Sequence, residues 1–341
     1  MSRLIQTYFF VLLFTATGRL YAQQENSPTH LFRLYEDDDC INIFGNCTDN
    51  AYTNGLRLDY FYTPQRPSSF FLDKLLPRAG DSSIDVYGWG LAQLMYTPDD
   101  LGNRNYLPND YPYSGALFVT HTLASYNVDK KFDWQTAVVL GVIGPAAFAR
   151  QTQTLVHRVT GFIEPRGWGH QYNNDLLLNV NITGEKQLAT LGHTVDVIGG
   201  GQAFIGTMLD GLSLYQVIRI GVKNNYFDGF ISQYAGAAQN EQGQKRGQFY
   251  FFVKPEARLV LHNALLQGGL FTKNPNLDKT PVNSKPLPPY HDINPVVAAI
   301  TYGAVLTLQH WSISLSQTAA SAEMKDLYCH STGNISLYYG W

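Results

Sequence analysis

The sequence is poor in charge, and after its first residues it has no apolar run long enough to cross a membrane as a helix. Charged residues make up 15% of the chain, and the net charge is −3. A nucleic-acid-binding protein needs a basic surface, so we expect no nucleic-acid partner. No later segment reaches 18 uninterrupted apolar residues, which argues against a spanning helix.

Cysteine is scarce as well. Only three cysteines occur, and two of them, Cys40 and Cys47, flank a short loop. This spacing suits a local disulfide in an oxidising compartment. Cys329 is left over, and the sequence leaves its state open.

Familiar hydrolase and zinc motifs are also missing from the sequence. It has no G-x-S-x-G elbow, no H-E-x-x-H and no Cys/His zinc spacing. A serine nucleophile of the α/β-hydrolase kind and a zinc site therefore have no support. Four histidines without a partner motif are interpreted as structural or lumenal: His121, His193, His262 and His310.

The first residues have the pattern of a secretory signal. Arg3 supplies the positive end, Tyr8–Ala16 is a short apolar run, and Leu20–Ala22 ends in a small residue before Gln23. The run is too short for a spanning helix. We therefore predict a cleaved signal peptide at 1–22 and one exported domain at 23–341. Because the residue after the cleavage site is not Cys, we expect no lipoprotein anchor.

What the chain does have is aromatic residues and alternation. It contains 22 Tyr and 19 Phe, and much of it alternates apolar with polar residues. An exported, Tyr-rich and Gly-rich chain of this kind is typical of an outer-membrane β-barrel. A soluble secreted β-sandwich is the alternative.

The alternation predicts roughly a dozen strands, and thus an all-β, antiparallel transmembrane barrel of about twelve strands. The strand candidates are His30–Glu36, Leu56–Tyr62, Ile84–Tyr96, Ser114–Tyr126, Trp134–Ile143, Leu176–Thr183, Thr194–Leu209, Leu212–Val222, Gln248–Lys254, Ala257–Asn263, Gly268–Thr272, Val296–Gln309, Trp311–Ala319 and Asn334–Trp341. Asp210-Gly211 and Pro255-Glu256 are predicted turns. Tight turns are expected at one end, and long loops such as Lys273–Asp292 at the other.

One segment, 145–160, predicts a short helix in an extracellular loop. Pro145 suits the first helical position, and Gly161 suits the C-terminal cap. At about 100° per residue, the helix has an apolar and a polar side. The apolar side holds Phe148, Leu155 and Val159, and the polar side holds Arg150, Gln153 and His157.

The polar side of this helix and an acidic run are the candidate chemical groups. Gln153 and His157 are four residues apart and so are neighbours. An imidazole with a pKa of about 6.5 can act as a general base near neutral pH, although a surface histidine near a helix end is the alternative. The run Glu36–Asp39 suits a hard cation or a solvated turn. Alternation puts Glu36 and Asp38 on one face, without saying which face meets the helix.

Three stretches carry motifs in the order found in one known family. Glu36–Asp38 is followed by 48–56, where the family pattern is roughly E-N-D and then T-D-x-x-Y-T-x-G-L. Gln93–Ala116 is close to the family's Y-T-P run and its later D-R-P-Y-x-G. Gly141–Gln171 contains G-V-I-G-P, Q-x-x-x-H-R and P-x-G-W. Together these stretches resemble the outer-membrane lipid A 3′-O-deacylase family of the LpxR type.

The resemblance implies a twelve-stranded barrel that removes the 3′-acyloxyacyl chain from lipid A, with Ca²⁺ at its site. It also implies a histidine that activates water and a metal that stabilises the oxyanion. By this resemblance His157 is the base, with Gln153 and Thr53 in the active site. Asp38 matches the family's essential aspartate, and Asp37 stands where the family has Asn.

The same resemblance predicts the ligands of the metal and of the substrate. We expect Asp37 and Asp38 to hold Ca²⁺, and Arg104 and Glu164 to bind the substrate. The expected partners are lipopolysaccharide and the outer membrane of a Gram-negative cell, and we expect a monomer. Two alternatives stay open: an outer-membrane phospholipase, and a non-enzymatic porin-like or structural barrel.

Overall fold

The computed structural model describes residues 27–42, 51–66, 68–236, 247–272 and 292–341, and within them twelve antiparallel strands form a closed barrel. The strands are β1 (His30–Asp38), β2 (Ala51–Tyr62), β3 (Ile84–Thr97), β4 (Ser114–Asn127), β5 (Phe132–Ile143), β6 (Asp175–Leu191), β7 (Val195–Gly206), β8 (Leu209–Val222), β9 (Gly247–Asn263), β10 (Val296–Leu308), β11 (Trp311–Ala320) and β12 (His330–Gly340). Each strand pairs with its sequence neighbours, and β1 pairs with β12 from Leu31↔Gly340 to Asp38↔Gly333. The predicted barrel is confirmed.

Short helices lie outside the strands. They are α1 (Phe71–Leu75), α2 (Ala149–Thr160), α3 (Phe230–Tyr234) and α4 (Ala264–Gln267). Among the residues described, no helix has both the length and the apolar character needed to span a membrane.

Alternation along the strands separates an apolar outer face from a polar lumen. On β2, Leu56, Leu58 and Tyr60 are exposed, whereas Asp59 is 2% exposed. Asp59 lies in the lumen, where Oδ2 accepts from Nη2 of Arg33 at 2.7 Å. The predicted apolar face of this strand therefore points away from the lumen, as a lipid-facing barrel requires.

The lumen is packed rather than open. Helix α3 lies inside it, where the Tyr234 ring stacks on Tyr338 with centroids 4.2 Å apart. Nearer the middle of the barrel, Glu185 accepts hydrogen bonds from the hydroxyls of Tyr215 and Tyr226, each at 2.8 Å. Toward the other end, α4 joins a buried cluster with residues of β2 to β5. Helices and aromatic side chains thus narrow the lumen in the part of the chain that the structure describes.

The barrel has two unlike ends. The loop end carries the connections 39–50, 98–113, 144–174, 264–295 and 321–329, and one tight turn at 207–208. The turn end has tight turns at 128–131, 192–194 and 309–310, but also two longer connections, at 63–83 and 223–246. The predicted division into short turns and long loops thus holds only in part.

Two predicted turns are wrong. Asp210-Gly211 lies inside β8, because the chain reverses earlier, between Gly206 and Leu209. Asp210 Oδ1 accepts from the Gly206 N–H at 2.8 Å, and the register shifts at Gly211. These residues therefore lie beside the turn and opposite a β9 bulge at Leu261, rather than in the turn itself.

Pro255-Glu256 is not a turn either, since β9 continues through both residues. The β8–β9 register has no pairs between Tyr215↔Glu256 and Ile218↔Val253. Proline has no N–H to donate, so the strand accommodates Pro255 by leaving this part of the ladder unpaired. Pro255 therefore interrupts the hydrogen-bond ladder between β8 and β9, but it does not end the strand.

Three further predictions meet the structure unevenly. Gly268–Thr272 is not a strand; it follows α4, which the sequence did not predict. The signal peptide falls in 1–26 and nearly all of the Lys273–Asp292 loop in 273–291, both outside the described residues. Cys40 is disulfide-bonded and Cys329 is free, while Cys47 lies outside the described residues.

Candidate active site on the outer wall

The predicted helix is confirmed with a different start. Pro145 opens a 3-10 turn that ends at Ala147, and α2 begins after Phe148, whose φ is +58°. Gly144 also has a positive φ, +94°. These two left-handed positions redirect the chain from the strand onto the wall. Gly161, with φ +78°, ends α2 as predicted.

Helix α2 packs on the outer face of β3 and β4 at the loop end. Ala149 touches the wall at Gly115, where a Cβ would lie 2.3 Å from the Ala149 Cβ. Met95 belongs to the same buried cluster as Ala149. Met95 has the strand parity of Leu91, which is exposed on the outer face. The helix therefore lies outside the lumen.

The polar side of α2 is buried and its apolar side is exposed. Gln153 and His157 are each 4% exposed, whereas Leu155 is 64% and Val159 77% exposed. Arg150, predicted on the polar side, is exposed at its edge. In water this orientation would be costly, so it indicates that the outer side of α2 faces an apolar medium.

The orientation of His157 follows from the cap of the helix. Gly161 turns the chain back, so that the Ile163 carbonyl lies 2.6 Å from His157 Nδ1. A carbonyl only accepts, so Nδ1 carries the hydrogen. In the neutral ring, Nε2 then holds the lone pair. The cap thus selects the tautomer that a general base at Nε2 needs.

Gln153 is oriented by a tryptophan. The Trp168 indole N–H donates to Gln153 Oε1 at 2.7 Å, and Trp168 is buried. Its ring packs on Tyr113, and a Cβ at Gly167 would lie 2.2 Å from that tyrosine. The amide oxygen is thus turned toward Trp168. Sequence reasoning gave Trp168 no role, although the G-W pair in the family motif was the available signal.

The acids of β1 divide between the two faces of the wall. Glu36 and Asp38 share the parity of Phe32, which is exposed on the outer face. Asp37 points into the lumen, where its carboxylate accepts from the Tyr35 hydroxyl at 2.5 Å and from Asn334 Nδ2 at 2.9 Å. The predicted pairing of Asp37 and Asp38 as side-chain ligands of one ion does not fit this placement.

A bulge in β2 brings two adjacent side chains to the outer face. The register shifts between Tyr52 and Asn54, with Thr53 as the extra residue. Asn54 Nδ2 donates to Glu36 Oε1 and, at 3.4 Å, to Asp38 Oδ2. The Thr53 and Thr97 hydroxyl oxygens lie 2.6 Å apart. These contacts place Thr53 and Asn54 beside the outer acids, a placement that simple alternation along β2 does not predict.

The two halves of the site therefore lie on the same side of the wall. The outer acids and Thr53 belong to β1 and β2, and α2 covers the next two strands. Thr97 ends β3, and Met95 of the same strand packs with Ala149 of α2. The structure thus places Asp38, Thr53, Gln153 and His157 at the loop end of one outer surface.

The two predicted substrate-binding residues lie at the rim. Arg104 is exposed in the loop 98–113, and its carbonyl lies 3.0 Å from His170 Nε2. Glu164 Oε1 accepts from Arg158 Nη2 at 2.7 Å. This hydrogen bond and the charge of Arg158 hold the pKa of Glu164 below its ordinary value.

The outer face offers oxygen donors for a hard cation. Glu36 and Asp38 both accept from one amide nitrogen, that of Asn54, so their carboxylates lie close together. Like charges this close favour a cation between them, and Ca²⁺ takes several carboxylate and carbonyl oxygens. In the part of the chain that the structure describes, no group of three or more His, Cys, Asp or Glu forms a metal cluster. Glu36 and Asp38 are the two outer carboxylates that could hold a cation.

These features define an outer-membrane β-barrel with a candidate active site on the outside of its wall. The comparisons make the assignment specific. Residues 8–341 match the family model described as outer membrane protein LpxR, so the chain belongs to the LpxR family. No curated relative matches the chain.

The solved structures that resemble this chain include one with the same fold. LpxR from Salmonella typhimurium superimposes with a TM-score of 0.69 at 19% identity, covering 91% of this chain and 100% of that one. The beta domain of the Bordetella autotransporter BrkA reaches 0.41 at 9% identity, covering 93% of this chain and 100% of that one. The translocator domain of NalP from Neisseria meningitidis reaches 0.39 at 7% identity, with 100% and 96% coverage.

Proposed function

We propose that this protein is a lipid A 3′-O-deacylase, in which a water activated by His157 hydrolyses the ester of the 3′-acyloxyacyl chain. One observation carries the proposal: a histidine with Nδ1 held by the Ile163 carbonyl lies on the outer wall, on the same side as the outer acids. Family membership supports the lipid A substrate. An active site outside the barrel suits a substrate that is itself a membrane lipid.

The loop that follows α2 orients the proposed base, His157. With Nδ1–H donated to a backbone carbonyl, Nε2 of His157 can take a proton from water. The imidazolium that forms keeps its hydrogen bond at Nδ1. Such a positioned base contributes roughly 10²–10⁴-fold to the rate.

The neighbouring polar groups hold the water and the ester. Gln153, fixed by Trp168, presents its amide on the same buried side of α2 as His157. Thr53, at the bulge, offers a hydroxyl on the side of the acids. Both groups are buried against the wall, so neither needs to be ordered when substrate binds, which favours catalysis.

We further propose that Asp38 and Glu36 hold a Ca²⁺ ion, with main-chain oxygens completing its ligands. Bound Ca²⁺ would stabilise negative charge on the ester oxygen as it develops. Asp37 instead organises the lumen side of β1, and Arg104 lies at the rim, where it suits a lipid phosphate. In this proposal the protein is a monomer. The reaction takes place at the loop end, and that end faces the outside of the cell.

The test is mass spectrometry of lipid A from a Gram-negative host with and without the expressed protein. We expect loss of the 3′-acyloxyacyl mass with the protein, and intact lipid A with a folded His157→Ala variant. Deacylation by His157→Ala at the unaltered rate would refute the base. Loss of phospholipid acyl chains with lipid A unchanged would favour the phospholipase alternative, and no change in either lipid would favour a non-enzymatic barrel.

Metal removal tests the calcium site separately. We expect excess chelator to abolish deacylation and added Ca²⁺ to restore it, and Asp38→Asn to need more Ca²⁺ for half-maximal rate. Asp37→Asn is the matched control, since its carboxylate lies on the lumen side, and its Ca²⁺ requirement should be unaltered. Full activity in excess chelator would contradict the calcium proposal while leaving the base untouched.

A further inference from the structure

The chain leaves β1 through a turn that orients one of the outer acids. We call Asp38–Asn42 the site turn. The Cys40 N–H donates to Asp38 Oδ1 at 2.7 Å, and the Ile41 N–H donates to the Asp38 carbonyl at 3.2 Å. An aspartate that accepts from the N–H two residues further on closes a local turn with its own side chain. The site turn therefore sets the direction of the Asp38 carboxylate.

The site turn also contacts the β2 bulge. The Asp39 N–H donates to the Thr53 carbonyl at 3.2 Å, and Asp39 is buried. On the other side of Asp38, Asn54 Nδ2 lies 3.4 Å from Oδ2. One carboxylate oxygen of Asp38 thus meets the site turn and the other meets the bulge. A shift of the site turn would therefore move both Asp38 and the main chain of Thr53.

The site turn packs over the outer faces of β11 and β12. Gly333 is opposite Asp38 in the β1–β12 register, and Gln317 is opposite Gly333 in the β11–β12 register. Residues opposite each other in neighbouring strands point to the same face, which is here the outer one. A Cβ at Gly333 would overlap the Ile41 carbonyl, and Gln317 Nε2 donates to Asn42 Oδ1 at 3.0 Å. The glycine thus leaves the space that the turn fills.

A covalent bond ties the site turn as well, because Cys40 is disulfide-bonded. Cys47, the partner predicted from the sequence, lies outside the described residues. A disulfide restrains a loop in a way that single hydrogen bonds do not. Small exported domains use disulfides to replace a missing core, but this barrel is already closed by twelve paired strands. The bond instead falls on the residue whose N–H meets the Asp38 carboxylate.

We propose that the disulfide at Cys40 positions the Asp38 carboxylate to bind the cation, through the hydrogen bond from the Cys40 N–H. This inference rests on the proposed function, because it takes Asp38 as a ligand of Ca²⁺. Groups that hold a metal ligand in place strongly affect metal affinity. Cys40 is thus a positioning residue, and reduction of its disulfide leaves the barrel closed but releases the site turn.

The first test reduces the disulfide in the folded barrel in detergent. Dithiothreitol gives two electrons and two protons to the disulfide, so the protein gains two thiols and the reagent becomes a cyclic disulfide. Cys329 is already a thiol and is unaltered. We expect the Kd for Ca²⁺, measured by calorimetry on His157→Ala, to rise about tenfold. An unaltered Kd in the reduced protein, or a rise only together with loss of the β-sheet circular dichroism, would overturn the proposal.

Cysteine variants repeat this test without a reductant. Cys40→Ser with Cys47→Ser should bind Ca²⁺ as weakly as the reduced protein does. Cys329→Ser is the matched control and should bind as the oxidised parent does, since its thiol is free. Oxidised-like affinity in the double variant would contradict the role of the disulfide.

A second variant moves the site turn and leaves the disulfide intact. Gly333→Ala places a methyl group where the Ile41 carbonyl lies, so the turn must shift. We expect Ca²⁺ binding to weaken roughly tenfold. Gly201→Ala on β7 is the matched control, because its Cβ would meet Leu214 at 3.4 Å, an ordinary contact. Unaltered Ca²⁺ binding in Gly333→Ala would show that the position of the turn does not matter.

Hydrogen exchange reads the site turn without calcium or catalysis. We expect the Cys40 amide to exchange about tenfold faster after reduction, whereas the amides of Arg33–Glu36 in β1 keep their rates. Equal protection of Cys40 in both states would overturn the proposal. A parent that never deacylates lipid A would refute the proposed reaction, while exchange and Ca²⁺ binding still decide the role of the disulfide. Deacylation by the reduced protein with an unaltered Ca²⁺ requirement would refute the positioning role alone.

Discussion

Two helices lie on the outside of this barrel, one toward each end, and a histidine is buried between each helix and the wall: His121 on β4 under α1, and His157 on α2 itself. Under α1, His121 Nε2 lies 2.5 Å from Asp73 Oδ1, and the ring packs against Trp89 with centroids 4.2 Å apart. On α2, His157 Nδ1 instead meets a backbone carbonyl, that of Ile163. The rings of Phe70 and Trp89 thus enclose His121, whereas a main-chain carbonyl sets the tautomer of His157.

The two helices and the segments that flank them are otherwise alike. The segment after α1 is held to β4 by Ala79, whose N–H donates to Ser125 Oγ at 2.9 Å and whose carbonyl accepts from Asn127 Nδ2 at 2.8 Å. Both helices expose apolar side chains on their outward side, among them Phe71 and Leu75 on α1. Burial on the outer wall is therefore not by itself a sign of a site; what distinguishes His157 is that Thr53 and the outer acids lie at the same end of the wall.

Exchanging each histidine for alanine tests this difference most strongly. We expect His157→Ala to lower the deacylation rate by roughly 10²–10⁴-fold with little loss of stability. His121→Ala should keep the rate within about twofold but lose about 3 kcal/mol of stability, because it leaves the buried Asp73 without its partner. Rates come from lipid A mass spectrometry, and stability from urea unfolding of the refolded barrel.

The companion variant His121→Ala with Asp73→Ala removes both partners and should recover part of that stability. A rate loss in His121→Ala as large as in His157→Ala would break the comparison, since it would place both histidines in catalysis.

The sequence anticipated the barrel and the helix for reasons that act locally. Alternation marks strands, and Gly161 marks a helix end, whatever the rest of the chain does. The sequence-based prediction was wrong where tertiary pairing overrides a local signal. Pro255 interrupts the hydrogen-bond ladder between β8 and β9, but β9 continues through it. Asp210 accepts a hydrogen bond from Gly206 at a turn that precedes it, and is not in the turn itself.

The candidate site was less predictable than the fold. Parity correctly separated Asp37 from Asp38 but could not say which face was the lumen, since β1 has apolar residues on both faces. The bulge at Thr53 breaks the alternation that a sequence pattern assumes. Trp168 acts on Gln153 across fifteen positions of chain, a contact that only the folded loop creates.

Trp168 is the positioning residue that distinguishes α2 from α1, and removing its N–H is the next largest change. We expect Trp168→Phe to lower kcat by about tenfold with KM unchanged, because one hydrogen bond to Gln153 is lost while the ring still packs on Tyr113. Trp89→Phe, the tryptophan beside His121, is the matched control and should leave both constants unaltered. A rise in KM alone would instead assign Trp168 to substrate binding.

Glu164 offers the smallest effect. Its pair with Arg158 is exposed, and exposed pairs are worth little. Arg158 lowers the pKa of Glu164 below the usual glutamate value of about 4.3. The carboxylate is therefore ionised at every pH above about 4.3, and the ion pair is lost only as the pH falls below that value. The effect of Glu164→Gln on deacylation should therefore be within about twofold and constant from pH 5 to 8. Asp292→Asn, which breaks the exposed pair with Lys325, is the control. A hundredfold loss in Glu164→Gln alone would instead place this carboxylate against the reacting lipid, and the loop after α2 would then contribute a catalytic group of its own.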